Sequence, residues 1–501
     1  MKFISFFMLL LLPLSISSNN GIPVGGPKVI EGSQNRAELD KVLDNYCEPK
    51  DSLKYEAACF LIENMAIHTS NSYYWIDDSD RVVDFNELDY EDFNASLKAF
   101  EKIKEQKGKL RPIPTVQYDI STMTADYLIK NIDMAFENWS KDVYDFNTFC
   151  EYILPYRISV EPAQDWRKEY YDKFSKIIIG QDKTPLNIKL KYLIDNINLW
   201  FVCTYGIEER TEPLPRLGAL QLLHRKKGYC EDVAALSALA LRSIGIPATV
   251  DMVPYWATST GSHVLNCSFD SNNEPVHFDA LLLSDSLHEF IREPAKVLRT
   301  TYSVQTNTLA SKVNIEQIPE GILRAQNYID VTHEYWATKD VECTIKPSEN
   351  GKIVYACVFN GGEWKPVWWG ESKNDKVKFS NLCQGAVFLP KYYENGKMVT
   401  AGYPVASGHK QTWELKPLEE THTITIKEFP RYLKFRPGKK YRLVYYDFGW
   451  KTISIKTASE DTKELVFENV PQNALLLLVP NYGTKKERPF IITDEGKRLW
   501  W

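Results

Sequence analysis

Residues 228–247 read GYCEDVAALSALALRSIGIP, and this stretch decides the fold. Ala234, Ala235, Ala238 and Ala240 interleave with Val233, Leu236, Leu239, Leu241 and Ile244. The segment is apolar nearly all round and small-sided, so it predicts a buried helix that its neighbours approach closely. Glu231 and Asp232 suit the positive end of the helix dipole. Gly245 stops the helix and Pro247 prevents its resumption. Cys230 therefore stands at a helix N-terminus, where free backbone N–H groups favour a thiolate. The same amides can hold an oxyanion.

The segments that follow read as strands: Ala248 to Val253, Ser262 to Phe269, and Pro275 to Ala280. Asp270-Ser271-Asn272-Asn273 is a turn cluster between the last two. A hairpin about that turn places residues whose numbers sum to about 543 opposite each other. His263 and Asp279 then lie near one another across the pair, within one residue of register. His277 is the rival base and shares a strand face with Asp279. It cannot be both two residues from Asp279 and directly opposite it, so His263 is preferred. Asp251 and Asp270 are the rival acids, read as a strand-end charge and a turn residue. A base oriented by a carboxylate, set against a helix N-terminal cysteine, follows the logic of thiol acyl transfer.

Gly-Tyr-Cys-Glu-Asp, the run Ala-Leu-Arg-Ser-Ile-Gly-Ile-Pro-Ala, then a single His and a single Asp resemble the transglutaminase-like superfamily core, over about residues 217–281. The family often has an aromatic residue after the histidine, where Val264 and Leu265 stand here. The resemblance implies a papain-like Cys230–His263–Asp279 triad. It also implies transglutamination, peptide or amide hydrolysis, or deglycosylation. In that family an upstream Gln, Trp or Tyr supplies the second oxyanion donor, which makes Gln221 and Trp200 the candidates. No cofactor and no metal are expected, since thiol chemistry of this kind needs none.

With 501 residues, the chain is too long for one core, and three or four domains are expected. A formal charge of -6 leaves no basic footprint, so nucleic acid is not an expected partner. Lys2 followed by the apolar run Phe3 to Leu14 reads as a secretory signal over residues 1–17, with the mature chain starting at Ser18. The product is expected to be secreted, periplasmic or in the cell envelope, with no membrane span. Nine cysteines leave one thiol over if the others pair.

The expected architecture is α+β. Residues 18–160 form a helical N-terminal region, with helices over 88–106, 121–139 and 145–153. Residues 161–335 form the catalytic core and are helical from Asp279 to about 295. Residues 336–428 and 429–501 are β-sandwich modules, read from short strands punctuated by turns such as Asn360-Gly361-Gly362. A chain ending near Thr332 is expected to keep the site. Arg157 and Arg167 can clamp a carboxylate in a bidentate way. Trp166 can stack on a sugar or peptide, and Trp256 joins these substrate-binding candidates. The alternative for Arg157 and Arg167 is pairing with Glu161 and Asp165 at a boundary.

The leading expectation is a cysteine-dependent amide hydrolase or acyltransferase acting on peptide or protein, cell-wall peptide included, through an acyl-thioester. The rivals are a non-catalytic scaffold whose β modules bind glycan or protein, and an amidase that releases glycan from glycopeptides.

Overall fold

The central helix Cys230–Ser243 organises the middle of the chain. Val233, Ala234, Leu236, Ala238, Leu239, Ala240 and Leu241 are all buried. They pack with Leu190, Leu193 and Ile197 from the helix Leu186–Asn198 and with Tyr170 and Phe174 from the helix Arg167–Phe174. Gly245 ends the central helix at φ +76°, and a Cβ there would lie 1.8 Å from the Asn138 carbonyl oxygen. Both its left-handed backbone and its close approach require glycine. The computed structural model describes residues 33–177, 184–204, 216–281, 287, 290–429, 433–483, 487–493 and 496–500. The expected signal segment and Trp501 lie outside them.

On one side of this helix lies a five-stranded antiparallel sheet. Its order is Tyr328–Asp330, Leu298–Thr300, Ala248–Val253, His263–Phe269, Pro275–Phe278. Ala248, Val250, Val264 and Phe278 point toward the helix core, and the alternate residues face the other way. The last two strands pair Asn266 with Phe278 and Cys267 with His277. The register sum is therefore 544 rather than 543. His263 and Asp279 sit two positions apart along the pair, diagonal neighbours on one face.

The chain after Asp279 departs from expectation. Residues 290–295 are not helical, and Leu298–Thr300 and Tyr328–Asp330 extend the sheet beyond Ala248–Val253. The N-terminal region holds its expected helices, at Phe93–Lys107, Ala125–Asn138 and Phe146–Tyr152. It also holds an unexpected three-stranded sheet, Val82–Val83, Thr69–Ile76 and Arg111–Tyr118 in that order.

From Thr338 to Glu414 the chain forms one eight-stranded sheet. It curls so that Lys339 donates to the Gly408 carbonyl at 2.7 Å. Val341, Val354, Val367, Phe379 and Phe388 fill one face; Tyr355, Cys357, Val387 and Leu389 pack on the other. The strand Thr421–Lys427 pairs with Glu464–Pro471. It thus belongs with the C-terminal strands rather than with residues 336–428, because its hydrogen-bonding partner lies there. All nine cysteines are free thiols. Among the described residues no helix is long and apolar enough to cross a membrane.

Candidate active site

The approach to Cys230 is held by backbone. Val202–Cys203 runs parallel to Lys227–Gly228, and the Thr204 amide donates to the Gly228 carbonyl at 2.7 Å. Asp232, 3% exposed, turns back to accept the Tyr229 amide at 2.8 Å. This caps the helix start, where backbone donors lack intrahelical partners. The folded-back carboxylate explains the glycine of the motif. A Cβ on Gly228 would lie 2.6 Å from both Cβ and Oδ2 of Asp232. Gly-Tyr-Cys-Glu-Asp is thus a unit that fixes the cysteine on the first turn.

His263 opens the strand His263–Phe269. Its Nε2 lies 2.6 Å from Asp279 Oδ2, with side chains 19% and 11% exposed. Asp279 Oδ1 accepts the Leu281 amide at 2.9 Å, which fixes the carboxylate. The Cys230 thiol is the second group that acts on the imidazole and favours its charged form. Burial is the largest single influence on His263 and disfavours its charged form. The hydrogen bonds and charges of Asp279 and Cys230 together outweigh it, raising His263 from 6.5 to about 9. The indole of Trp256 lies nearly parallel to the imidazole, ring centres 6.1 Å apart at 22°. Trp256 is itself packed edge-on against Phe290.

The rival residues are engaged elsewhere. His277 bonds Glu334 at 2.7 Å. Asp251 is fully buried, not a strand-end charge. It accepts both arms of Arg299 at 3.0 and 2.8 Å and the Tyr335 hydroxyl at 2.6 Å. Asp270 caps the hairpin turn by accepting the Asn272 and Glu274 amides. Asp251, Cys267 and His277 bring possible metal-ligand atoms within 4.8 Å of one another. The Arg299 guanidinium already supplies the cation there, and burial pushes the Cys267 thiol well above its ordinary range. That donor set does not suit a metal ion.

The expected oxyanion donors are also committed. Gln221 accepts the Gly218 amide at 2.7 Å and donates to Glu87 at 2.8 Å. The Trp200 indole N–H points to Asn196 at 3.4 Å, with the Lys173 ammonium 4.0 Å from its ring centre. The substrate clamp expected at Arg157 and Arg167 is corrected: both are interior scaffolding. Arg157 is gripped by Asp119 through two 2.7 Å bonds. Arg167 donates to Asn131 and to the Ile153 and Leu154 carbonyls. Trp166, 2% exposed, donates to the Tyr156 carbonyl at 2.8 Å. The expected pairing of the arginines with Glu161 and Asp165 holds only at the Glu161 backbone, which Arg157 reaches at 2.9 Å.

A cleft of about 230 Å³ is lined by chain neighbours of the site, Glu231 after Cys230 and Ser262 and Val264 on either side of His263, while Cys230, His263 and Asp279 do not line it. Arg216, Tyr255, Glu320 and Pro366 line it as well. Arg216 and Glu231 form an ion pair there. Sequence reading missed this wall, because its parts come from five separate segments with no shared motif.

A family profile described as the transglutaminase-like superfamily matches residues 173–280, a span that contains Cys230, His263 and Asp279. The chain carries a transglutaminase-like core. No curated protein matches it. Among solved structures, the transglutaminase of red sea bream is similar over 87% of this chain and 78% of its own, at 11% identity and a TM-score of 0.25.

Proposed function

We propose that this protein is an exported cysteine-dependent amide hydrolase or acyltransferase that acts on peptide substrates. One observation carries the reading: the His263 imidazole meets the Asp279 carboxylate at 2.6 Å, and Cys230 joins Asp279 in raising its basicity. The raised basicity of His263 suits it to accept the Cys230 proton. The thiolate attacks the substrate carbonyl carbon, and the C=O electron pair moves to oxygen. The Cys230 amide at the helix start is the available oxyanion donor. As the C–N bond breaks, His263 gives its proton to the leaving nitrogen, and an acyl-thioester remains. Neutral His263 then takes a proton from water, or from an acceptor amine, as that nucleophile attacks. The acid or the new amide departs, and thiolate and imidazolium are restored. Asp279 holds the ring and stabilises its charged form.

Iodoacetamide labelling of the full chain, read by mass spectrometry across pH, tests this. Burial holds Cys59 and Cys203 at about 11 and Cys357 at about 12, so these stay protonated near neutrality. Cys47 is exposed and serves as the internal standard. Cys230 is expected to react faster than Cys47 at pH 7, and Cys230→Ala to abolish release of amine from a peptide amide. Labelling led by Cys47, or turnover that survives Cys230→Ala, overturns the reading in favour of a binding scaffold.

A further inference from the structure

Asn360 ends the strand Ile353–Asn360 in the curled sheet and is 5% exposed. Gly361 and Gly362 follow at φ +62° and +90°, a turn that needs left-handed backbone. The Asn360 side chain spends none of its polar atoms on its own sheet. Its amide nitrogen donates toward the Trp256, Ser259 and Gly261 carbonyls at 3.0, 3.0 and 2.9 Å. Two hydrogens serve three acceptors, so one bond is shared. Its carbonyl oxygen accepts the Gly261 amide at 3.1 Å. One side chain thus replaces the solvent that the 256–261 backbone would otherwise need.

That backbone is the loop between the strand Ala248–Val253 and His263. Trp256, whose carbonyl Asn360 holds, lays its indole along the His263 imidazole. Gly261 lies two residues before His263, so its placement sets where the strand and the imidazole begin. Tyr255 and Ser262 of the same loop line the cleft, and so does Pro366 from the strand paired with Ile353–Asn360.

We infer that Asn360 is a positioning residue for His263, through which the curled sheet fixes the imidazole and one wall of the cleft. This rests on the reading of Cys230 and His263 as the reacting pair. Without the clamp, Trp256 and the start of the strand loosen. His263 then loses its fixed approach to Asp279 and Cys230 and drifts toward the behaviour of a free imidazole.

The experiment follows His263 by NMR titration of its ring carbon-bound proton, with Cys230 alkylation by iodoacetamide measured on the same full-length proteins. In the unaltered protein the His263 midpoint is expected near 9. Asn360→Ala is expected to move that midpoint by at least about one pH unit toward 6.5 and to slow Cys230 labelling at pH 7 by about tenfold. Asn360→Asp keeps the size and the acceptor but removes the donors, and it is expected to shift both readouts the same way. A residue that merely fills space leaves both unmoved in the aspartate variant. Asn360→Ser keeps one donor in less volume and is read in place of Asn360→Ala if that variant does not fold. Unchanged midpoint and labelling rate in a folded variant overturn the inference. A His263 midpoint near 6.5, or no preference for Cys230 in the unaltered protein, overturns the site reading instead and is seen before any variant is made.

Discussion

Replacing Asp279 by Asn removes one negative charge from the imidazole while keeping an oxygen near Nε2. In the native site His263 is raised from 6.5 to about 9. At 1.36 kcal/mol per pH unit, that is roughly 3 kcal/mol in favour of imidazolium. Burial opposes protonation, so the contribution of Asp279 and Cys230 together exceeds that net figure. Without the carboxylate, burial faces only the sulfur, and the His263 midpoint is expected to fall to 6.5 or below. The consequence for stability has a definite sign. Because the folded value lies above the unfolded one, the stabilisation is fully present below pH 6.5 and is lost as pH rises through about 9. Urea unfolding of the native protein should therefore lose roughly 3 kcal/mol from this group between pH 6.5 and 9. In Asp279→Asn that slope should vanish. The descending limb of any peptide-amide turnover should also move to acid, because protonated His263 is the leaving-group acid. A variant whose His263 still titrates within about half a pH unit of 9 refutes Asp279 as the source of the raised basicity.

Three further outcomes are expected. Gly228→Ala drives a methyl into Asp232, 2.6 Å away, and should cost about 1–2 kcal/mol through the displaced cap; urea midpoints and slower Cys230 alkylation check this together. Arg299→Met leaves Asp251 and Glu334 without their guanidinium and should cost about 3–5 kcal/mol; a loss below about 1 kcal/mol in urea unfolding shows the pair to be unimportant. A chain ending at Thr332, expected from sequence periodicity to keep the site, should instead be insoluble or carry a Cys230 no more reactive than in urea. It lacks Glu334 and Tyr335, which bind Arg299 and Asp251, and it lacks Asn360. A soluble product with native Cys230 labelling shows that the β region is dispensable.

The central helix and the three strands after it were legible because each obeys local rules. The helix has acidic residues at its start and Gly245 at its stop, and each strand is punctuated by turns. The hairpin register was off by one because the turn length decides it, and Asp270 closes a wider turn than the pattern alone implies. The N-terminal sheet was missed for a different reason. Arg111–Tyr118 contains Pro112 and Pro114, which argue against a strand in a sheet interior. It is an edge strand, where a missing N–H costs nothing. Thr69–Ile76 carries Ser70, Asn71 and Ser72, and its pattern is polar. Leu298–Thr300 and Tyr328–Asp330 are too short for periodicity to register. Arg157 and Arg167 look like surface residues because charged groups are seldom buried unless paired. Their partners Asp119 and Asn131 lie far away in sequence, so only the folded chain brings them together.

The contacts between the two sheets argue that the catalytic core is not a separable unit. Lys296, fully buried, belongs to the core segment. Its ammonium is satisfied by Asp330 at 2.5 Å and by the Ser380 and Asn381 carbonyls of the curled sheet at 3.0 and 2.9 Å. The Trp368 ring lies 4.0 Å away. Such a cation is tolerable only while both sheets are in place, since a buried charge stripped of partners is strongly destabilising. Ala257 and Ala295 likewise pack among Val341, Val354 and Phe388. Asn360 adds directed hydrogen bonds to this apolar and ionic seam, and these bonds end on the loop beside His263. If Asn360 positions His263 as inferred, docking of the curled sheet and ordering of the imidazole are coupled. The curled sheet, read from its strands and turns as a separate module, packs directly on the core segment through Lys296, Ala257, Ala295 and Asn360.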